Sequence, residues 1–123
     1  MVERSIAAYD APERVASYDA DMEIMHPNRA KMIQVALDVL PFSVQQPLRA
    51  LDLGVGTGYF AERFLRRFPH ADVWAVDGAA AMVDLATARL GPLTERVRFL
   101  IGDFRNLARL LPEGETFDVV FSS

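Results

Sequence analysis

The stretch LDLGVGTGYF, at positions 51–60, decides the fold of this chain. A short apolar strand pattern runs into three alternating glycines, and an amphipathic helix pattern follows at once. Glycine has no Cβ, so the backbone can turn sharply there and a ligand can approach the main chain closely. Free amide N–H groups at the start of the helix would face that ligand. The stretch therefore predicts a strand–loop–helix unit that binds a ligand at its bend.

The residues around the glycines favour one class of ligand. Asp52 precedes the loop, and a carboxylate there would repel a pyrophosphate but suits a positively charged ligand. Dinucleotide loops carry Gly-x-Gly-x-x-Gly, whereas here Tyr59 stands where the third glycine would be. An NAD(P)-dependent oxidoreductase is therefore the less favoured alternative.

The composition is typical of one soluble globular domain and excludes several kinds of chemistry. Of the 123 residues, 51% are hydrophobic and 24% are charged. A net charge of −4 without a basic block argues against a nucleic-acid partner. The chain has no cysteine, and His26 and His70 lack metal-ligand spacing, so no metal is expected. We find neither a signal peptide nor an apolar run of about 20 residues, which favours a cytoplasmic protein without membrane contact.

Strand and helix patterns alternate along most of the chain. Strand patterns cover residues 49–53, 72–77, 97–101 and 117–121, with helix patterns after the glycine loop and at 80–90 and 105–111. Two further helices precede them, one starting near Pro12 and one near Pro27. In the second, the residues at helical spacing are Met32, Val35, Ala36, Val39 and Leu40. Apolar strands separated by helices predict an α/β fold with a doubly wound parallel sheet.

Three of these strands end in or near a carboxylate. The carboxyl ends of parallel strands share one edge of the sheet, so Asp52, Asp77 and Asp103 would face one crevice. Asp77 is placed to accept hydrogen bonds from ribose hydroxyls. Asp103 could accept one from the exocyclic amine of a purine, with Met82 and Phe104 as apolar walls.

The sequence stops directly after the fourth strand pattern, whereas a doubly wound domain normally continues with further strands. We therefore expect a part of a longer polypeptide that lacks its C-terminal strands. The alternative is a small domain completed by a partner, such as a homodimer formed through the exposed fourth strand.

Four stretches resemble, in order, the motifs of the class I (Rossmann-like) S-adenosylmethionine-dependent methyltransferases. They are residues 51–58, residues 76–82, Gly102-Asp103-Phe104 and residues 117–123. The resemblance implies a methyltransferase that uses S-adenosyl-L-methionine and releases S-adenosyl-L-homocysteine. It divides the chain into an N-terminal helical segment (1–45) that covers the cofactor and a cofactor-binding core (46–123).

The resemblance implies roles at the methionine end of the cofactor. The backbone at Gly54 and Gly56 would approach the methionine moiety, and Asp52 would hold its ammonium group, directly or through water. Ser122 would lie near the sulfonium, and Tyr18 is the candidate for a tyrosine that covers the cofactor.

At the nucleoside end, the resemblance gives the same roles to Asp77, Asp103, Met82 and Phe104 as the strand order does. Gly78, beside the ribose acid, stands where relatives often carry a larger side chain. The loss of that apolar contact would weaken the packing against adenine.

Simpler roles stay open for these residues. Asp52 and Asp77 could cap the helices that follow them, Asp103 could be a turn residue, and Met82 and Tyr18 could be ordinary packing. The whole domain could also bind the cofactor, or a partner, without catalysis. The acidic charge and small size favour a small-molecule acceptor, and no catalytic residue can be named.

Overall fold

The computed structural model describes residues 12–122, apart from the side chains of residues 12–16, Tyr18, Asp19 and Phe104. Its elements are α1 (Pro12–Met25), α2 (Arg29–Asp38), β1 (Arg49–Leu53), α3 (Tyr59–Arg67), β2 (Asp72–Asp77), α4 (Ala80–Leu90), a 3₁₀ helix (Gly91–Arg96), β3 (Val97–Ile101), a second 3₁₀ helix (Phe104–Asn106), α5 (Leu107–Leu110) and β4 (Val119–Phe121). The helix predicted near Arg105 is thus a 3₁₀ turn followed by one α-helical turn.

The strands form a four-stranded parallel sheet in the order β3–β2–β1–β4, which confirms the predicted doubly wound α/β fold. β1 pairs with β2 on one side and with β4 on the other, so its carboxyl end is the switch point where such sheets bind ligands. β4 forms one edge of the sheet and is shorter than predicted. Asp118 lies just before it and binds the backbone N–H of Arg49 through its carboxylate, at 2.9 Å. Pairing of two copies through this edge stays a prediction.

Apolar side chains cover both faces of the sheet. On the larger face, Ala50, Val73 and Ala75 pack with residues of α2, α3 and α4, among them the fully buried Phe64 and Leu65. A smaller cluster on the other face holds Leu51, Trp74 and Val76, with partly buried leucines of the α5 region packed against it. This two-sided burial is what the continuous apolar strands predict.

The apolar face predicted for α2 is wrong except at Leu40, which packs against the core just after the helix. Leu37 is buried, and Ile33 packs against the core. Three residues of the predicted face are instead largely exposed, namely Met32 (68%), Val35 (52%) and Val39 (71%). Both sets satisfy helical spacing, so only the packing of α2 beside α3 decides between them.

Candidate functional site

The loop between β1 and α3 takes a backbone path suited to glycine. Gly54, Gly56 and Gly58 have φ angles of 85°, 55° and 79°. Gly58 also lies against α4, where a Cβ would come within 3.3 Å of the Cβ of Ala86. The glycines therefore serve both the turn and the close contact between α3 and α4.

Much of this loop is hydrogen-bonded within the protein. The N–H groups of Gly54 and Val55 donate to the carbonyl of Val76, and the N–H of Gly58 donates to the carbonyl of Val55. From α4, Nε of Arg89 donates to the carbonyl of Thr57 at 2.8 Å. The expected free amides are therefore not found at Gly54, Val55 or Gly58.

Asp77, the last residue of β2, ties the loop to the turn before α4. Its Oδ2 accepts a hydrogen bond from the N–H of Gly56 at 3.1 Å, and its Oδ1 accepts one from the N–H of Ala79 at 3.0 Å. The second bond lies within the turn before α4. The N-cap residue of α4 is Ala79 and not Asp77. A carboxylate oxygen can accept more than one hydrogen bond, so both oxygens of Asp77 can still accept from a hydroxyl. Gly78, next in the chain, is exposed.

Asp52 is fully buried, and neither of its carboxyl oxygens has a hydrogen-bond partner among the described residues. A helix-capping role is therefore wrong for it. It lies between Ala75 of β2 and Phe121 of β4 in the sheet. Asp77 follows two residues after Ala75 and so shares this face of the sheet. Burial, with a smaller contribution from the charge of Asp77, raises the pKa of Asp52 to about 7.

A cavity of about 180 Å³ opens beside the glycine loop. Its walls come from the loop, the start of α3 and the two N-terminal helices, and consist of Met22, Arg29, Ile33, Gly54, Val55, Gly56, Thr57, Tyr59 and Phe60. Thr57 is only 3% exposed, and its hydroxyl has no hydrogen-bond partner among the described residues. The cavity thus combines an apolar lining with an unsatisfied polar group.

Tyr59, the first residue of α3, is buried against a group of arginines. The Cζ atoms of Arg29 and Arg63 each lie 3.5 Å from its ring centroid, and that of Arg89 lies 5.3 Å away. Two guanidinium groups cannot share one face of a ring at 3.5 Å, so Arg29 and Arg63 enclose Tyr59 from opposite sides. Glu62 lies 3.6 Å from Arg63 and 3.9 Å from Arg89, so these two arginines form ion pairs as well as contacts with the ring.

Asp103 reaches the same edge of the sheet, because the N–H of the preceding Gly102 donates to the carbonyl of Asp77 at 2.9 Å. Its carboxylate faces its own loop. Oδ1 accepts from the N–H of Arg105 at 2.9 Å, and Oδ2 pairs with the Arg105 guanidinium at 2.5 Å. The Arg105 side chain lowers the pKa of Asp103. Asp103 is thus a turn residue here, and its contact with adenine stays a prediction.

The remaining predicted residues are only partly placed. Met82 is half-buried in the first turn of α4, and Ser122 is exposed directly after β4. The side chains of Phe104 and Tyr18 lie outside the described ones. Sequence reasoning gave no site role to four residues near the loop, namely Arg29, Thr57, Tyr59 and Arg89. For Arg29 and Arg89 the reason is that no motif links them to the loop.

Comparison with known proteins decides the family. A family model described as a methyltransferase domain matches residues 50–123, which is more than half of the chain. The chain belongs to the class I S-adenosylmethionine-dependent methyltransferases. Over the described residues, this methyltransferase domain has no helix long and apolar enough to cross a lipid bilayer.

Relatives of this methyltransferase domain carry different names. It is 26% identical to a malonyl-[acyl-carrier protein] O-methyltransferase of Halalkalibacterium halodurans, over 86% of this chain and 39% of that protein. It is 28% identical to a demethylmenaquinone methyltransferase of Thermotoga maritima, over 87% of this chain and 41% of that protein. A methyltransferase of Haloferax volcanii, solved with the Trm112 methyltransferase activator, is 32% identical with a TM-score of 0.61, over 90% of this chain and 45% of that one.

The methyltransferase chain thus spans about two fifths of the length of these two curated relatives. S-adenosylmethionine is the methyl donor of the family, and the site suits it. The buried carboxyl of Asp52 has no partner within the described part of the chain, which suits a ligand with a cationic group. The oxygens of Asp77 can accept further hydrogen bonds, as a ribose diol would require.

Proposed function

We propose that this chain is the S-adenosylmethionine-binding part of an enzyme that transfers a methyl group to a small molecule. The observation that carries the proposal is the fully buried carboxyl of Asp52 beside Asp77, at the switch point of the sheet, which no described residue hydrogen-bonds. Asp52 would attract the ammonium group of the cofactor, and Asp77 would bind the ribose hydroxyls. The glycine loop lines the cavity in which the methionine part would lie.

The residues of this chain would bind and orient the reactants. When bound, S-adenosylmethionine supplies a methyl group on a sulfonium, which leaves by in-line displacement. Alignment of donor and acceptor contributes on the order of 7–11 kcal/mol to such a step. The apolar cavity walls Met22, Ile33 and Phe60 would exclude water from the methyl group. No side chain of the described residues is assigned as a general base.

The proposal of a small-molecule acceptor rests on the net charge of the chain. A net charge of −4 disfavours the phosphate backbone of nucleic acids, which supports a small molecule. The names of the Halalkalibacterium and Thermotoga relatives give two different acceptors at nearly equal identity. Similarity to these relatives therefore does not indicate one acceptor for this chain.

Isothermal titration calorimetry with S-adenosylhomocysteine tests the proposal. The parent chain should bind with a dissociation constant in the micromolar range, and Asp77→Ala should lose at least about tenfold in affinity. Asp84→Ala, which removes an exposed carboxylate of α4, is the matched control and should bind like the parent. Equal affinity of the parent and Asp77→Ala would exclude the ribose role.

A further inference from the structure

Helix α2 carries an apolar stripe on a side that does not pack against the core. The stripe consists of Met32, Val35, Ala36 and Val39, which are all exposed and follow the spacing i, i+3, i+4, i+7. Val39 is the C-cap residue, and its N–H donates to the carbonyl of Val35 at 3.1 Å, so the stripe is continuous. Its members occupy a, d, e and a positions of a heptad, the pattern by which one helix packs against another. We call this surface the α2 stripe.

One flank of the α2 stripe carries two opposite charges, seven residues apart. Lys31 and Asp38 directly precede the two a positions, so both occupy g positions, and both are exposed. Arg67 and Gln34 donate to Oδ1 of Asp38 at 2.6 and 2.9 Å, while no described residue donates to its Oδ2. The bond from Arg67, with a smaller contribution from Gln34, lowers the pKa of Asp38. Asp38 is therefore charged at neutral pH and can accept a further hydrogen bond.

This order of charges is complementary to itself in an antiparallel pair of helices. A two-fold axis between antiparallel helices places each flank beside the same flank of the second copy. Lys31 of each copy then faces Asp38 of the other, which gives two ion pairs. The midpoint between these charges lies one residue, or about 1.5 Å, from the midpoint of the α2 stripe. In a parallel pair the g positions face e positions instead, and Lys31 would face Ala36.

Apolar residues at both ends of α2 extend the surface. A pair of ten-residue helices alone buries less than the roughly 800 Å² per partner of a standard interface. Ile24 and Met25 are exposed at the end of α1, just before α2, and Val44 is exposed in the segment after it. An antiparallel pair brings these two ends together, one from each copy. We therefore expect an interface at the small end of the range, and a dimer that dissociates on dilution.

We propose that two copies of this chain associate through their α2 stripes, with the helices antiparallel and Lys31 of each copy paired with Asp38 of the other. The inference is independent of the proposed function, because no residue of the α2 stripe lines the cavity beside the glycine loop. It also differs from pairing through β4, which involves the opposite end of the chain.

Sedimentation velocity over a range of concentrations tests the association. The parent should dimerise with a dissociation constant on the order of 10–100 μM, as for a small interface. Val35→Glu should weaken the dimer by at least about tenfold, because it places two like charges in the middle of the interface. Ala30→Glu changes an exposed residue of the same helix outside the stripe and should dimerise like the parent. Circular dichroism verifies that each variant is folded.

Two results would overturn the proposal at this stage. One is a parent that stays monomeric at every concentration. The other is a dimer that Val120→Glu, at the exposed position of β4, disrupts while Val35→Glu does not. That second result would assign the contact to the edge of the sheet.

A charge exchange tests the orientation of the helices. Lys31→Glu alone should weaken the dimer by about threefold to tenfold, because two ion pairs become like-charge contacts. Adding Asp38→Lys to the same chain restores both pairs with exchanged signs, so the double variant should dimerise nearly like the parent. A double variant as weak as the single one would contradict the antiparallel pairing.

Cross-linking tests the same geometry without weakening the dimer. The chain has no cysteine, so an introduced thiol reports directly on its own position. Antiparallel stripes bring Met32 of one copy to Val39 of the other. A mixture of Met32→Cys and Val39→Cys chains, treated with a short bis-maleimide, should therefore give more cross-linked dimer than either chain alone, as measured by mass spectrometry. More cross-linking within each variant than between them would show a parallel pair and overturn the proposal.

Discussion

The N–H of Gly56 donates a hydrogen bond to Oδ2 of Asp77 at 3.1 Å, so the acid that ends β2 holds the bend that follows β1. The other carboxylate oxygen holds the N–H of Ala79 before α4. One side chain therefore positions two neighbouring loops at the carboxyl edge of the sheet. A ligand bound to Asp77 would contact a residue that is already fixed in place.

Removing this side chain should destabilise the fold as well as the site. We expect Asp77→Ala to lower the free energy of unfolding by about 1–3 kcal/mol, because two backbone N–H groups lose a charged acceptor. Urea unfolding of both proteins measures the difference, and hydrogen exchange at Gly56 and Ala79 should accelerate. Asp84→Ala should change the stability by no more than about 0.5 kcal/mol. Unchanged exchange at both amides would show that the two hydrogen bonds do not hold the loops.

Asp52 should make the stability of the parent chain depend on pH. Its pKa is about 7 in the fold and 3.8 in the unfolded chain, so the folded state binds more protons between these values. The free energy of unfolding should therefore fall as the pH rises from about 4 to about 7, by roughly 4 kcal/mol from this group. Relative to Asp52→Asn, the parent should be most stable below pH 4 and weakest above pH 7. Urea unfolding at several pH values gives both curves, and parallel curves would refute the assignment.

Cofactor binding should release a proton from Asp52. A cationic ammonium group beside this carboxyl favours its charged form and lowers its pKa. At pH 6, calorimetry of S-adenosylhomocysteine binding in buffers of different ionisation enthalpy should show proton release, and affinity should increase between pH 5 and pH 7. Asp52→Asn should show no release and weaker binding. Release of the same size from the variant would point to another group.

Two glycines with similar φ angles allow the effect of backbone strain to be measured separately from that of packing. Gly58 and Gly114 have φ angles of 79° and 86°, but only at Gly58 would a Cβ meet atoms within 4 Å. We expect Gly114→Ala to lower the free energy of unfolding by about 1–2 kcal/mol through backbone strain. Gly58→Ala should cost at least about 1 kcal/mol more, because α3 must move away from Ala86. Equal losses in urea unfolding would mean that the two helices separate without cost.

The strand bounds could be predicted because each apolar run is delimited by a charge, a glycine or a proline. Residues 49–53, 72–77 and 97–101 are strands as predicted. The inward face of α2 could not be predicted, because Met32 and Ile33 belong to two different apolar stripes, each at helical spacing. Only contact with α3 distinguishes them.

The candidate site, too, could be predicted from the sequence only in part. The positions of Asp52 and Asp77 follow from strand order, since parallel strands bring their ends to one edge. The burial of Asp52 could not be predicted, because it depends on the aromatic and apolar residues that flank it across β2 and β4. Arg29 lies 30 positions before Tyr59, and only the packing of α2 beside α3 makes them neighbours. The pairing of Asp103 with Arg105 is local, but a motif alone does not reveal which partner a carboxylate selects.

Trp74, the single tryptophan of the chain, lies on the face of the sheet that holds the smaller apolar cluster, edge-on to Phe117. Asp52 and Asp77 point to the opposite face. The intrinsic fluorescence of Trp74 should therefore report unfolding of the sheet while staying almost silent to ligand titration. Tyrosine absorbance, through Tyr59 in the cavity wall, is the optical signal that should respond to an occupied site.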